Sequence, residues 1–187
     1  LEGRVILVTG AGAGIGRQAA LSYAEKGATV ILLGRTVKKL EAVYDEIDAM
    51  GAPQPAIIPL DMLGATRQHY LDMADTIEQQ FGRLDGVLHN AGLIGVLSPF
   101  DQIDEKSHDD VMQVNVKATM LMTQALLPLL KKSDDARVVF TTSTVGHQGR
   151  AYWGSYAISK FATEGIMQVL ADEMSDTKVR VNAINPG

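Results

Sequence analysis

Tyr156 and Lys160 stand four residues apart in Tyr156-Ala157-Ile158-Ser159-Lys160, a spacing that puts a phenol and an ammonium on one face of a helix. A free phenol ionises near pH 10, too high for proton exchange at neutrality. An ammonium about 4 Å away is worth roughly 4 kcal/mol at an effective dielectric of about 20, some three pH units. The spacing therefore predicts an acid–base tyrosine drawn toward the physiological range by its lysine. Ser143, thirteen residues before Tyr156, can hydrogen-bond a carbonyl oxygen. No Gly-x-Ser-x-Gly elbow surrounds it, which argues against a hydrolase nucleophile.

A second feature is the turn Thr9-Gly10-Ala11-Gly12-Ala13-Gly14-Ile15-Gly16, between an apolar run and an amphipathic segment. Glycines at 10, 14 and 16 do not satisfy G-x-G-x-x-G in any register. They still supply a tight turn, close backbone approach and a helix N-terminus facing an anion such as pyrophosphate. Ala13 and Ile15 lie within the same turn. No Gly-Lys-Ser/Thr ending follows, so nucleoside triphosphate hydrolysis is not indicated. After the next apolar run the chain reads Gly34-Arg35-Thr36, where a carboxylate would bind ribose hydroxyls. Arg35 instead offers a forked guanidinium suited to a 2′-phosphate, which predicts NADP(H) over NAD(H).

These residues need a scaffold, and the chain alternates short β-branched runs with segments of helical period. Strands are expected at Val5–Thr9, Thr29–Leu33, Ala56–Leu60, Gly86–His89, Arg137–Thr142 and Val179–Ile184. Helices are expected over Gly14–Lys26, Val37–Met50, Thr66–Phe81, 106–130 and Ser155–Met174. The pattern implies an α/β, doubly wound parallel sheet, and residues 1–187 form one dinucleotide-binding domain. The candidate residues then converge on the carboxyl edge of the sheet: Gly10 to Gly16, Arg35, Asp61 with Met62, Asn90-Ala91-Gly92 and Ser143.

Composition narrows the partners. The 187 residues are 46% hydrophobic and 21% charged with net charge −5, so no basic footprint for nucleic acid exists. There are no cysteines, which removes disulfides and thiolate metal sites. The apolar stretch 118–130 is too short to span a bilayer. With an apolar strand starting at Val5 and no room before it for a leader, a cytoplasmic protein without membrane contacts is expected.

In order along the chain, Thr9-Gly10-x-x-x-Gly14-x-Gly16, Asp61, Asn90-Ala91-Gly92, Asn115, Ser143, Tyr156-x-x-x-Lys160 and Asn182-Ala183-Ile184-Asn185-Pro186-Gly187 resemble the classical short-chain dehydrogenases/reductases. The resemblance covers essentially the whole chain. It implies a Rossmann fold of strand order 3-2-1-4-5-6, with a substrate-covering segment and seventh strand that this chain lacks. It also implies a nicotinamide-dependent interconversion of a carbonyl and a secondary alcohol. By the same likeness Tyr156 is the proton donor in reduction, Ser143 polarises the carbonyl, and Lys160 lowers the tyrosine pKa and binds ribose. Asn115 then helps to hold a relay water, Asp61 approaches the adenine, Asn90-Ala91-Gly92 line the cleft, and Pro186 and Gly187 face the nicotinamide. A homo-oligomer paired through the helices 106–130 and 155–174 is implied too. His89 stands where the family commonly has asparagine, and is expected to be buried and hydrogen-bonded.

Ile94, Val145, His147, Gln148, Tyr152 and Trp153 are candidate pocket residues. Two rival readings share parts of the pattern: an NADP(H)-sensing regulator with vestigial catalysis, and an epimerase or dehydratase acting on a nucleotide sugar.

Overall fold

The computed structural model describes Leu1–Gly187. Six strands, β1 (Val5–Thr9), β2 (Thr29–Gly34), β3 (Ala56–Pro59), β4 (Gly86–His89), β5 (Ala136–Thr141) and β6 (Val179–Ile184), form one sheet of order β3-β2-β1-β4-β5-β6. Every adjacent pair is parallel. The helices are α1 (Gly14–Glu25), α2 (Val37–Ala49), α3 (Arg67–Phe81), α4 (Glu105–Met112), α5 (Thr119–Leu130) and α6 (Gly154–Glu173). This is the doubly wound sheet that the alternation of elements predicts.

Strand residues alternate between two cores. Leu7, Ile31, Leu33, Val87 and Phe140 pack with α3, α5 and α6 through Tyr70, Ile77, Met122, Leu126 and Leu170. Ile6, Val8, Val30, Leu32 and Leu88 pack with α1 and α2 through Ala20, Ala24, Leu40, Val43 and Ile47. Because both faces are covered, β1 is buried at all five positions, and its unbroken apolar run follows from that. None of the helices is long and apolar enough to cross a membrane.

One expected element is not continuous. The helix read over 106–130 begins at Glu105, passes through a π-helical turn at Gln113–Ala118 and resumes as α5. Such a turn accommodates one extra residue and is frequent at functional sites. Asn115 lies inside it.

The two ends of the sheet differ in character. At the amino edge the buried Asp85 carboxylate accepts from Val5 N, from the Arg83 guanidinium and from Ser133 Oγ. Burial pushes its pKa up, but these partners outweigh burial and hold the carboxyl below its ordinary value. That edge is fastened by a satisfied structural anion. The carboxyl edge is left with open loops, and strand order reverses there between β1 and β4.

Candidate active site

The turn after β1 is shaped by backbone proximity. Gly10 has φ +67°, and a Cβ there would approach Ala91 Cα at 3.1 Å across the switch point. A Cβ at Gly16 would collide with the Gly10 carbonyl, so α1 can start hard against the turn only with glycine at that position. The N-cap of α1, Ala13, makes no side-chain cap, and no acid stands in the first turn. The first N–H groups of α1 thus remain open to an external anion.

Thr9 fastens the ends of β1 and β4 together. Its Oγ1 accepts from Asn90 N at 2.9 Å and Ala91 N at 3.0 Å, and donates to the Leu88 carbonyl at 3.3 Å. The Asn90 amide bridges onward, donating to Thr9 O and accepting from Thr141 Oγ1 on β5.

A cleft of about 310 Å³ opens beside this knot. Of the expected cofactor residues, Gly10, Ala13, Arg35, Asp61, Met62, Ala91 and Gly92 line it. Gly14, Ile15, Gly16 and Asn90 do not; Gly16 is buried under the turn, and Ile15 stands exposed at the start of α1. Pro186 and Gly187 lie exposed beyond β6, where Asn185 Nδ2 donates to Thr144 Oγ1 at 3.1 Å and ties that end to the loop after Ser143.

The cleft also contains residues that spacing did not single out, Gly12, Thr36 and Lys39. Lys39 lies in the first turn of α2, one turn after Arg35, and a Cβ at Gly12 would meet Lys39 Cβ at 2.9 Å. The i, i+4 relation of Arg35 and Lys39 was visible in the sequence, but which face of α2 meets the glycine turn was not.

At the other end of the cleft, a Cβ on Gly92 would lie 3.3 Å from Asn115 Oδ1 and 3.9 Å from Lys160 Nζ. The cofactor cleft and the catalytic candidates are therefore contiguous. Tyr156 and Lys160 come from the first two turns of α6, and Ser143 precedes the 3-10 turn Thr144–Gly146 that follows β5. Burial pushes the Tyr156 phenol above its ordinary value, and a hydrogen bond with the Ser143 side chain pulls it partly back.

Lys160 corrects the simple electrostatic expectation. Its Nζ does not rest against the phenolic oxygen; it lies 5.5 Å from the Tyr156 ring centroid and donates to the Thr141 carbonyl at 2.7 Å. The residue is only 5% exposed, and burial without a carboxylate partner pushes its pKa down to about 8. In this geometry desolvation of the phenol outweighs the hydrogen bond with Ser143, so Tyr156 is held protonated at neutral pH.

Asn115 is buried, with both amide N–H groups and one acceptor position of its oxygen in use. Oδ1 accepts from Leu93 N at 2.7 Å, and Nδ2 donates to Leu93 O at 2.8 Å and to Ser159 Oγ at 2.9 Å. His89 is buried as expected: Nε2 is 2.9 Å from Thr123 Oγ1, the ring stacks on Phe140, and burial lowers its pKa to about 3, leaving it uncharged.

The candidate pocket residues divide. Trp153 lies 5.9 Å from the Tyr156 ring, whereas Ile94 and Tyr152 are exposed and Val145 is buried. Tyr152 adopts φ +73°, a strained conformation for a non-glycine residue. His147 pairs with the buried Glu164 at 3.1 Å and Gln148 is exposed.

Sheet order, glycine turn and switch-point cleft define a dinucleotide-binding α/β protein. A family model described as short chain dehydrogenase matches residues 4–187. An uncharacterized oxidoreductase of Escherichia coli K12, YciK, is 56% identical over 187 residues, spanning 100% of this chain and 74% of that protein. A crystal structure of a short chain dehydrogenase from Escherichia coli CFT073, complexed with NADPH, aligns with TM-score 0.97 at 57% identity, covering 100% of this chain and 78% of that one. One from Shigella flexneri 2a, complexed with NADP, aligns with TM-score 0.97 at 56% identity over the same shares. The chain belongs to the short chain dehydrogenase family of oxidoreductases.

Proposed function

We propose that this protein is an NADP(H)-dependent oxidoreductase that interconverts a carbonyl and a secondary alcohol, with Tyr156 as general acid and base. The observation that carries the reading is the contiguity of the cleft with Tyr156, Lys160 and Ser143 through Gly92. The bound nicotinamide supplies the hydride, or accepts it in the reverse direction.

The chain fits such a cofactor. The open N-terminus of α1 suits the pyrophosphate, and Asp61 with Met62 forms the wall beside the adenosine half. Arg35 and Lys39 place two cations on a cleft wall whose only carboxylate is Asp61. A 2′-phosphate there meets a guanidinium fork, an ammonium and the start of α2. The relatives crystallised with NADPH and NADP point to the same cofactor.

In reduction, the Ser143 hydroxyl orients the carbonyl oxygen while the protonated Tyr156 phenol gives it a proton. The phenolate left behind faces a buried ammonium at Lys160 and the Ser143 donor, both of which favour the charged form. With both Asn115 N–H donors engaged, its side chain could hold a relay water only as an acceptor at Oδ1, the other route being its main chain.

The test has two arms. A ligand that binds only the native state raises stability by RT ln(1 + [L]/Kd), about 2.7 kcal/mol at a hundredfold excess. NADPH is expected to raise Tm more than NADH at equal concentration, and Arg35→Asp is expected to erase the difference, costing about 2 kcal/mol of NADPH affinity. Equal shifts from the two cofactors would refute the phosphate site. In the second arm, carbonyl compounds are screened by NADPH oxidation. Tight NADPH binding with no turnover across ketones, aldehydes and diketones would favour a regulator over an enzyme.

A second copy of the chain completes the proposal. Ile158, Phe161 and Val169 are exposed along one face of α6, with Gly165 between them. A homo-oligomer buries this stripe, and Phe161→Glu is expected to lower the mass seen by light scattering. A monomeric parent protein at micromolar concentration would exclude it.

A further inference from the structure

Ser159 sits between the two residues proposed to exchange and stabilise the proton, yet its hydroxyl bonds to the side chain of neither. It is fully buried at 0% exposure. Its Oγ accepts from Asn115 Nδ2 at 2.9 Å and donates to the Tyr156 main-chain carbonyl at 2.7 Å. Asn115 in turn grips Leu93 through both N–H and C=O. Leu93 directly follows Gly92, and both line the cleft.

From this chain of contacts we infer that Ser159 is a positioning residue: its hydroxyl locks the first turn of α6 to the π-helical turn and, through Asn115, to the cleft wall, fixing Tyr156 relative to the bound cofactor. The inference rests on the proposed role of Tyr156. Two features make it more than burial of a polar group. A serine inside a helix needs only its own i−4 or i−3 carbonyl for satisfaction, and the bond to Tyr156 O supplies that. The second bond, to Asn115, leaves the helix and joins an element of different geometry. The π turn at Gln113–Ala118 contains the residue that meets it.

Thr163 provides the contrast one turn on. It is also a buried hydroxyl of α6, but its Oγ1 donates only to the Ser159 carbonyl within the helix.

The consequence concerns the proton affinity of the phenol. Ser143 and Lys160 act on Tyr156 only while the ring is held in register with them. Other titratable groups nearby are His108 of α4, which contacts Ser155 Oγ at 3.1 Å, and the His147–Glu164 pair. Neither is bonded to Ser159.

The experiment is an ultraviolet-difference titration of tyrosine ionisation in the NADP⁺-bound protein, with Tyr156→Phe used to assign the Tyr156 step. Ser159→Ala is expected to raise the proton affinity of Tyr156 about tenfold, moving its midpoint up by roughly one pH unit. Thr163→Ala is expected to leave the midpoint where the parent protein has it. Ser159→Cys, which keeps a weaker donor and acceptor of similar size, is expected to fall between, and serves as the reading if the alanine variant does not fold.

A Ser159 variant that titrates like the parent overturns the positioning role while leaving Tyr156 in place. A shift of equal size in Thr163→Ala overturns it as well, since general loosening of α6 then accounts for the effect. Absence of any step that Tyr156→Phe removes defeats the reading of Tyr156 itself.

Discussion

Replacing Tyr156 with phenylalanine is expected to lower kcat by about 10²–10⁴-fold while leaving NADPH affinity nearly unchanged. The fold-change corresponds to about 3–5 kcal/mol of transition-state stabilisation. The loss falls on kcat because the hydroxyl of Tyr156 does its work at the carbonyl oxygen, whereas the cleft lined by Gly10, Arg35, Asp61 and Ala91 is untouched. The ring itself is retained, so the tilted packing against Trp153 survives and no cavity forms. Raised by burial, the phenol stays protonated at neutral pH and is already in the state an acid requires. Steady-state NADPH oxidation with a carbonyl substrate taken from the screen, alongside NADPH titration, checks both halves. Full turnover in the variant would remove the acid–base role.

The expected proton chemistry and the observed geometry differ for a reason that spacing cannot carry. Four residues apart puts Tyr156 and Lys160 on one helix face, but it says nothing of where a flexible lysine finds its acceptor. Lys160 reaches the end of β5, at Thr141 O, because α6 packs over that strand end. The cation then lies above the ring rather than beside the oxygen. The strands were legible within a residue or so, because a sheet covered on both faces demands unbroken apolar runs. The long fourth helical segment was legible as helix but not as α4, a π turn and α5. Its hydrophobic pattern runs through the π turn without a glycine or proline to mark it. Asn115 was recognised by likeness, yet the occupation of its amide by Leu93 and Ser159 is a tertiary fact. Lys39 was hidden for a similar reason. It is one of two adjacent lysines opening α2, and only the packing of Gly12 against its Cβ distinguishes it from Lys38.

The placement of Lys160 gives the second large effect, and it opposes the first intuition about a buried contact. Lys160→Met is expected to stabilise the cofactor-free protein at pH 7 while abolishing most turnover. The side chain is 5% exposed with a pKa pushed down to about 8 by burial, against an ordinary value of 10.5. Keeping it charged in the folded state below pH 8 therefore costs on the order of 3 kcal/mol. Methionine fills similar volume without that cost, at the loss of one hydrogen bond to Thr141 O, about 1 kcal/mol. A net gain of about 2 kcal/mol remains.

The pH dependence fixes the sign. Between about pH 8 and 10.5 the unfolded chain still holds the lysine proton that the folded protein has released, so the stability of the parent protein rises with pH across that window. The variant lacks this rise, so its advantage should shrink from pH 8 upward, vanish at about pH 9.5 and give way above about 10.5 to a parent protein more stable by the Thr141 hydrogen bond, about 1 kcal/mol. Denaturant unfolding of both proteins at pH 7 and pH 10 reads the difference directly. A parent protein more stable than the variant at pH 7 would mean that the ammonium is paid for by contacts stronger than its desolvation. The proposed function accounts for retaining a destabilising charge there: without it the phenolate that follows proton donation has no cation over its ring, and a residue that weakens the fold is kept for the state it stabilises during the reaction.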